Sequence, residues 1–282
     1  MTVFQRFEKY KKEGKSQGYG AKYKPGVTIR DIHSKGLSHR IRGWKTSRTH
    51  HFLSNLELHY FFTLEWALSV VDIREKYLLP PKETLDLAER LRIKHPVDIK
   101  RNQPSIITTD FLLDVRIDDQ TRLFARSVIP KNRLFIKREV EKLELERMYW
   151  DEKGIDWGII TEEQISADFV RNIAWVHRAY QLKDIPQLNA ELIVEIEPAL
   201  FEELRQSSMP FPQAAKLVDE SFKLKKGTCL WLIRHFIANR IWTIDMNVRV
   251  NLSQSLKVSR NENLSQVRRL KLDNYAHYQV RH

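Results

Sequence analysis

Leu56, Tyr60, Phe61, Leu64 and Leu68 recur at three-to-four-residue spacing behind Ser54-Asn55. That spacing predicts a helix with one buried face, capped by Ser54 or Asn55. Residues 70–74 read as a strand, and Pro80-Pro81 ends the local structure. A short helix over 82–94 carries Leu85, Ala88 and Leu91, and 94–97 is a loop. The stretch 106–115 has the clearest strand pattern of the chain. Asp118-Asp119 makes a turn, and 123–129 returns as the second strand of a hairpin. A charged helix over 137–153 sets Val140, Leu143, Arg147 and Trp150 along one side, and Gly154 stops it. Residues 155–160 form a further strand, after which Thr161 and Gln164 can close a capping box.

This order of elements predicts an α/β (α+β) domain, a mixed sheet with helices against it. Near residue 165 the strand pattern stops. Residues 167–208 read as mainly helical, 207–212 as a break, and 214–222 and 228–237 as helices. Residues 240–244 read as a strand that 248–250 could pair with. Two helices followed by a β-hairpin outline a mostly helical, winged-helix-like unit. The expected division is an arm over 1–50, a sheet domain over 51–165 and a carboxy-terminal domain over 166–282. Glycines at 14, 18, 20, 26, 36 and 43 break the arm, in which 3–13 could form a short basic helix. The tail 261–282, with Arg268, Arg269, Lys271 and Arg281, could be mobile.

Charge changes this picture. The net charge is +12 over 282 residues, and residues 1–50 hold thirteen Lys or Arg against three acids. Such an arm suits a polyanion, with Lys11, Lys12, Lys15, Lys22, Lys24, Arg40, Arg42, Lys45 and Arg48 as candidate DNA contacts. Tyr10, Tyr19, Tyr23 and Trp44 lie among these charges and could stack on bases or anchor the arm to its own domain. A single cysteine, Cys229, excludes an internal disulfide and a cysteine zinc cluster. No apolar run is long enough to span a bilayer, and no signal peptide is visible. A soluble, cytoplasmic protein is expected.

Phosphodiester hydrolysis needs a hard cation and oxygen ligands to hold it. Glu57 stands near the start of its helix and Asp110 on its strand. A folded sheet domain could bring them together, but each also has an ordinary role, as a first-turn glutamate and as a capping or edge-strand aspartate. Asp114 shares the parity of Asp110 in an ideal strand and could be a second carboxylate on its face. Ser127 could offer its hydroxyl and Val128 its backbone carbonyl. Glu65 and Asp72 fit surface roles, and His50 and His51 fit solvated surface or DNA-backbone contacts. No phosphate-binding loop is present.

An ordered set of segments is more specific than these spacings. It comprises 38–40, 53–58, 64–66, 71–75, 93–96, 109–112 and 141–150. Across roughly residues 15–165 this set resembles the TnsA family, the endonuclease subunits of Tn-seven-like heteromeric transposases. The resemblance implies a restriction-endonuclease-like domain followed by a winged-helix-like one. It also implies Mg²⁺-dependent cleavage (Mn²⁺ as a substitute) of the non-transferred 5′ strands of double-stranded transposon ends. Its implied partners are a TnsB-like DDE transposase and a TnsC-like AAA+ regulator. The family's glutamate and aspartate fall on Glu57 and Asp110, and its next polar ligand on Ser127.

The family's catalytic lysine falls on Ile129, which can neither orient water nor stabilise charge. Two readings follow: a catalytically impaired assembly and DNA-binding subunit, or a lysine supplied from elsewhere, with Lys131 and Lys137 as candidates. A stand-alone nuclease is a third reading, which the extra carboxy-terminal domain disfavours.

Overall fold

The protein is described here from a computed structural model covering residues 1–31, 37–182, 188–207 and 209–261. Its contacts divide it into two units, 1–166 and 167–282. The basic arm therefore folds within the first unit. Helix α1 (Val3–Lys12) opens with a capping box between Thr2 and Gln5. A hairpin of β1 (His39–Arg42) and β2 (Thr49–Phe52) leads into α2 (Asn55–Trp66), which Ser54 caps through the Glu57 amide. The helix stops before Leu68, which is exposed, because Ala67 already adopts extended backbone.

Strand β3 (Val70–Leu78) is longer than its sequence pattern suggests. After it come α3 (Pro81–Arg90), a short pair of β4 (Val97–Asp98) and β5 (Gln103–Pro104), and the hairpin of β6 (Thr108–Ile117) with β7 (Gln120–Val128). Helix α4 (Lys137–Asp151) crosses to β8 (Asp156–Ile160). The central sheet has the order β3-β6-β7-β8, antiparallel except for the parallel β7–β8 pair. It is a mixed sheet within a mixed α/β unit.

Each face of this sheet buries a different core. On one side Leu79, Leu87, Ala88, Leu112, Ala125, Leu145, Tyr149 and Trp150 pack together, joining α3 and α4 to the strands. On the other, Phe52, Phe61 and Phe111 form an aromatic cluster beneath α2, with ring centroids 4.7 and 6.0 Å apart. The buried residues of α4 are Leu145, Glu146, Tyr149 and Trp150, so its inner face is turned from the expected Val140–Arg147 stripe, and Val140 is exposed.

The arm closes the open edge of β3. Leu78 donates its amide to Ser16 Oγ (2.8 Å), Gly26 donates to the Lys76 carbonyl (2.9 Å), and the Tyr23 hydroxyl donates to the Glu75 carbonyl (3.1 Å). These bonds satisfy backbone groups that a neighbouring strand would otherwise pair. Gly26 is required there, since a Cβ would lie 2.4 Å from Leu78 Cγ and 2.5 Å from the Lys76 oxygen.

The second unit contains α5 (Ala167–His177), α6 (Ala190–Ser207), α7 (Phe211–Ser221) and α8 (Thr228–Ala238). Asp219 accepts the Gly227 and Cys229 amides at the start of α8, and Cys229 is a buried core residue. Strand β9 (Trp242–Thr243) pairs with β10 (Ser259–Arg260), not with 248–250. The expected partner is diverted because Asn172 of α5 binds the Met246 and Val248 carbonyls and the Val250 amide. The basic residues of the tail lie outside the described residues. Among the described residues, no helix is long and apolar enough to cross a membrane.

Candidate active site

Glu57 sits in the first turn of α2, where a carboxylate is favoured by the helix dipole. Its oxygens accept from the Leu53 amide and the Ser54 hydroxyl, both at 3.1 Å. Asp110 lies on β6 and accepts the Val128 amide on Oδ2 at 2.7 Å. The two carboxylates meet at one ammonium. Lys76 Nζ lies 2.6 Å from Asp110 Oδ1 and 3.1 Å from Glu57 Oε2.

Lys76 owes its position to a kink. Its φ is +54°, in the left-handed region that a lysine rarely adopts. Across it the strand changes face. Glu75 binds His50 beneath the β1–β2 hairpin, whereas Tyr77 packs on Trp150 of α4. Its partner β6 switches at the same level: Phe111 packs on Phe52 and Tyr60, while Thr109 accepts from Trp150 Nε1. The paired register is unbroken there, with Glu75 opposite Phe111 and Tyr77 opposite Thr109. Lys76 and Asp110 therefore stand at the crossover and reach α2 together.

The electrostatics follow from burial. Desolvation raises the Glu57 pKa, helped by the Asp110 charge and opposed by Lys76. Burial alone would lower the Lys76 pKa, but the two carboxylates more than reverse this and the ammonium is retained. The Asp110 side chain is 20% exposed, against 9% for Glu57 and 7% for Lys76, so the cluster opens to solvent on the Asp110 side. Two converging carboxylates with one exposed flank match the donor chemistry of a hard divalent cation. No group of three or more metal-ligating side chains occurs among the described residues. A cation here would therefore draw its remaining ligands from backbone, water or substrate.

Of the other anticipated residues, Val128 meets Asp110 and the rest fall elsewhere. Ser127 donates to Glu146 Oε1 (2.6 Å) and accepts from Trp157 Nε1 (3.0 Å), on the α4 side of the sheet. Val128 contributes its amide to Asp110. Ile129 is a buried residue whose amide extends the β7–β8 pairing to the Ile160 carbonyl (3.0 Å). Lys131 is tied to Glu163 at 2.5 Å, and Lys137 is exposed at the start of α4. Asp114 does not join Asp110, because it binds Arg74 at 2.6 Å beyond the kink.

Several polar residues expected at the surface are interior. Arg48 is buried, holds Glu75 through both terminal nitrogens and donates to the Ile73 carbonyl, which removes it from the candidate DNA contacts. His50 is buried between Glu75 and Thr46. Glu65 and Asp72 are buried too, Glu65 accepting the Trp44 and Lys45 amides. Of the remaining candidate contacts, Lys11, Lys12, Lys22, Lys24, Arg40 and Arg42 are exposed. Lys24 donates to the Glu13 carbonyl, Lys15 pairs with Asp31, and Lys45 donates to the Ala67 carbonyl.

Two residues of the site region carry little signal in the sequence. Lys76 is hidden because its reach depends on a left-handed kink. Glu146 lies four residues before the buried Trp150, so an acid at helical spacing from a core tryptophan is its available signal. Burial first, and the Asp110 charge second, push the Glu146 carboxyl up to about 7 against the bonds it accepts.

Residues 68–162 match the family model of the TnsA-like endonuclease N terminal, and 164–246 match that of the TnsA endonuclease C terminal. The chain is 38% identical over 259 residues to "Transposon Tn7 transposition protein TnsA" of Escherichia coli, covering 91% of this chain and 92% of that protein. The chain belongs to the TnsA family. The boundary between the two TnsA family models falls beside that between the two structural units, at Ser166. In this TnsA-family chain the position expected to carry lysine is a core isoleucine, and a different lysine touches both acids.

Proposed function

We propose that this chain is the transposon-end endonuclease subunit that hydrolyses the non-transferred 5′ strands, using Mg²⁺ or Mn²⁺ held by Glu57 and Asp110. The convergence of these two carboxylates on a single ammonium carries the reading. Bound there, the cation supplies Lewis acidity and lowers the pKa of water. The chain's own residues do the rest. Ser54 and Leu53 orient Glu57, and the Val128 amide orients Asp110. The scissile phosphate approaches from the exposed Asp110 flank. Water oxygen bonds to phosphorus, the bond from phosphorus to the 3′ oxygen breaks, and the departing oxygen takes a proton.

Lys11, Lys12, Lys22, Arg40 and Arg42 position the duplex through its phosphates, without reading bases. A DDE transposase cuts and joins the opposite strands, and an AAA+ regulator docks on the carboxy-terminal, winged-helix-like unit. The setting is the cytoplasm. The core placement of Ile129 favours a second reading, an assembly subunit without cleavage. Strand-specific cleavage of element-end DNA, with Mg²⁺ and the partner transposase present, separates the two. Glu57→Ala and Asp110→Ala each abolish 5′-strand cutting if the first reading holds. A native chain that leaves the 5′ strand intact supports the second.

A further inference from the structure

We infer that Lys76 has taken over the part of the lysine that Ile129 cannot play: it is the cationic group that meets the scissile phosphate in this site. The inference rests on the endonuclease reading above and adds the residue that completes the site. Three observations carry it.

The first is contact. Lys76 Nζ is within hydrogen-bond reach of Asp110 and Glu57 at once, at 2.6 and 3.1 Å. The other lysines considered are engaged or placed elsewhere, Lys131 with Glu163 and Lys137 at the exposed start of α4.

The second is a conformation maintained against its own preference. A non-glycine residue at φ +54° is costly and persists where its surroundings over-determine it. The surroundings are visible. The carbonyls of Glu75 and Lys76 and the amide of Leu78 are bound by Tyr23, Gly26 and Ser16. Two donors, Tyr23 and Gly26, and one acceptor, Ser16, grip the backbone around the lysine.

The third is direction. Asp110 is the exposed member of the cluster, and Lys76 binds the oxygen of Asp110 that Val128 does not. A divalent cation held by both carboxylates would take the place of the ammonium in at least one of these contacts. The DNA backbone is the acceptor the ammonium then meets. As water oxygen bonds to phosphorus and the 3′ oxygen leaves with a proton, negative charge builds on the phosphoryl oxygens. A fixed ammonium beside them stabilises that charge. No electrons are transferred, and no co-reactant beyond water is required.

The test uses the full chain with element-end DNA and the partner transposase. Three quantities are measured on Lys76→Gln: thermal melting, Mg²⁺ binding by calorimetry without DNA, and 5′-strand cleavage at saturating Mg²⁺. Cleavage is expected to fall on the order of 10²–10³-fold. Mg²⁺ is expected to bind more tightly, because no ammonium has to be displaced. That opposed pair of changes distinguishes a catalytic cation from a structural one, whose removal would weaken melting, binding and cleavage together. Unchanged cleavage in a folded Lys76→Gln chain overturns the inference, as does a joint decline of all three. Ile129→Lys is the independent check if Lys76→Gln does not fold. With Lys76 already in place, the added lysine brings no gain, and a tenfold or larger gain in cleavage overturns the inference. If Glu57→Ala abolishes cutting but Lys76→Gln does not, the endonuclease reading stands and this inference fails. A native chain that never cuts overturns both.

Discussion

Two buried charge clusters hang from consecutive residues of β3, and they are built to opposite ends. Glu75 is fully enclosed. It receives both terminal nitrogens of Arg48, His50 Nδ1 and the His51 amide, at 2.5–3.2 Å. Burial would raise its pKa, but His50 and Arg48 hold it well below the usual carboxylate range. The next residue, Lys76, is shared by two acids, one of them partly exposed. The Glu75 cluster has used its bonding capacity on itself. The Lys76 cluster has capacity left over on the side that faces solvent. A buried ion pair is therefore a poor marker of function by itself, and incomplete satisfaction beside an opening is a better one.

The most severe test of this contrast exchanges the two glutamates for glutamine. Glu75→Gln leaves Arg48 buried without its charge partner and should cost about 3–5 kcal/mol in a urea melt. Glu57→Gln should cost about 1 kcal/mol or less, since Lys76 keeps Asp110, while 5′-strand cleavage falls to background. Equal losses of stability would remove the distinction.

Acid titration sharpens it through a third buried carboxylate. Glu146 is raised to about 7 from 4.5, so the folded state holds a proton that the unfolded state releases between those values. Its stabilising effect is complete below about pH 4.5 and is lost as pH rises through 7, a swing of about 3 kcal/mol. Glu75 has the reverse sign: its contribution is present above its unfolded pKa and disappears only as pH falls well below that range. Melting Glu146→Gln at pH 5 and pH 8 should show a flatter profile than the native chain. An unchanged profile would place the titration elsewhere.

Gly26→Ala disturbs the active cluster from outside. The new methyl meets Leu78 and the Lys76 carbonyl, and should cost about 1–3 kcal/mol. Cleavage at a temperature where the variant is fully folded should fall several-fold, because the kink is displaced. Cleavage that stays at the native level would separate the arm from the site.

The smallest effect concerns exposed cations. Replacing Lys12 and Lys22 by Ala should leave melting unchanged and make DNA binding less sensitive to salt, the slope falling by about 0.9 for each phosphate no longer neutralised. Arg48→Ala should do the opposite, lowering stability with no change in salt slope per folded molecule.

Much of this arrangement is legible in the chain. Glu57 announces itself by position, three residues after a capping serine. Asp110 sits in the strongest strand pattern, and the hairpin turn at Asp118-Asp119 adopts positive φ at both residues. Lys76 is invisible to the pattern because strict alternation fails at a left-handed residue. Alternation also joins Asp114 to Asp110, which the kink separates. Arg48, His50, Glu65 and Asp72 read as surface residues because polar side chains usually are. Arg48 and His50 find Glu75, and Glu65 finds the Trp44 amide, more than 20 residues away, and no periodicity encodes such pairings. In the second unit, a single asparagine, Asn172, redirects the expected hairpin by satisfying the loop's backbone.

The seal that residues 16–26 place along β3 has a consequence for how the finished protein behaves among its own copies. A bare outer strand invites a second molecule to add itself, and sheets grow into aggregates that way. Here the strip that occupies that margin is synthesised before the strand it protects. Mutations that loosen the strip should therefore appear first as poor recovery of soluble chain.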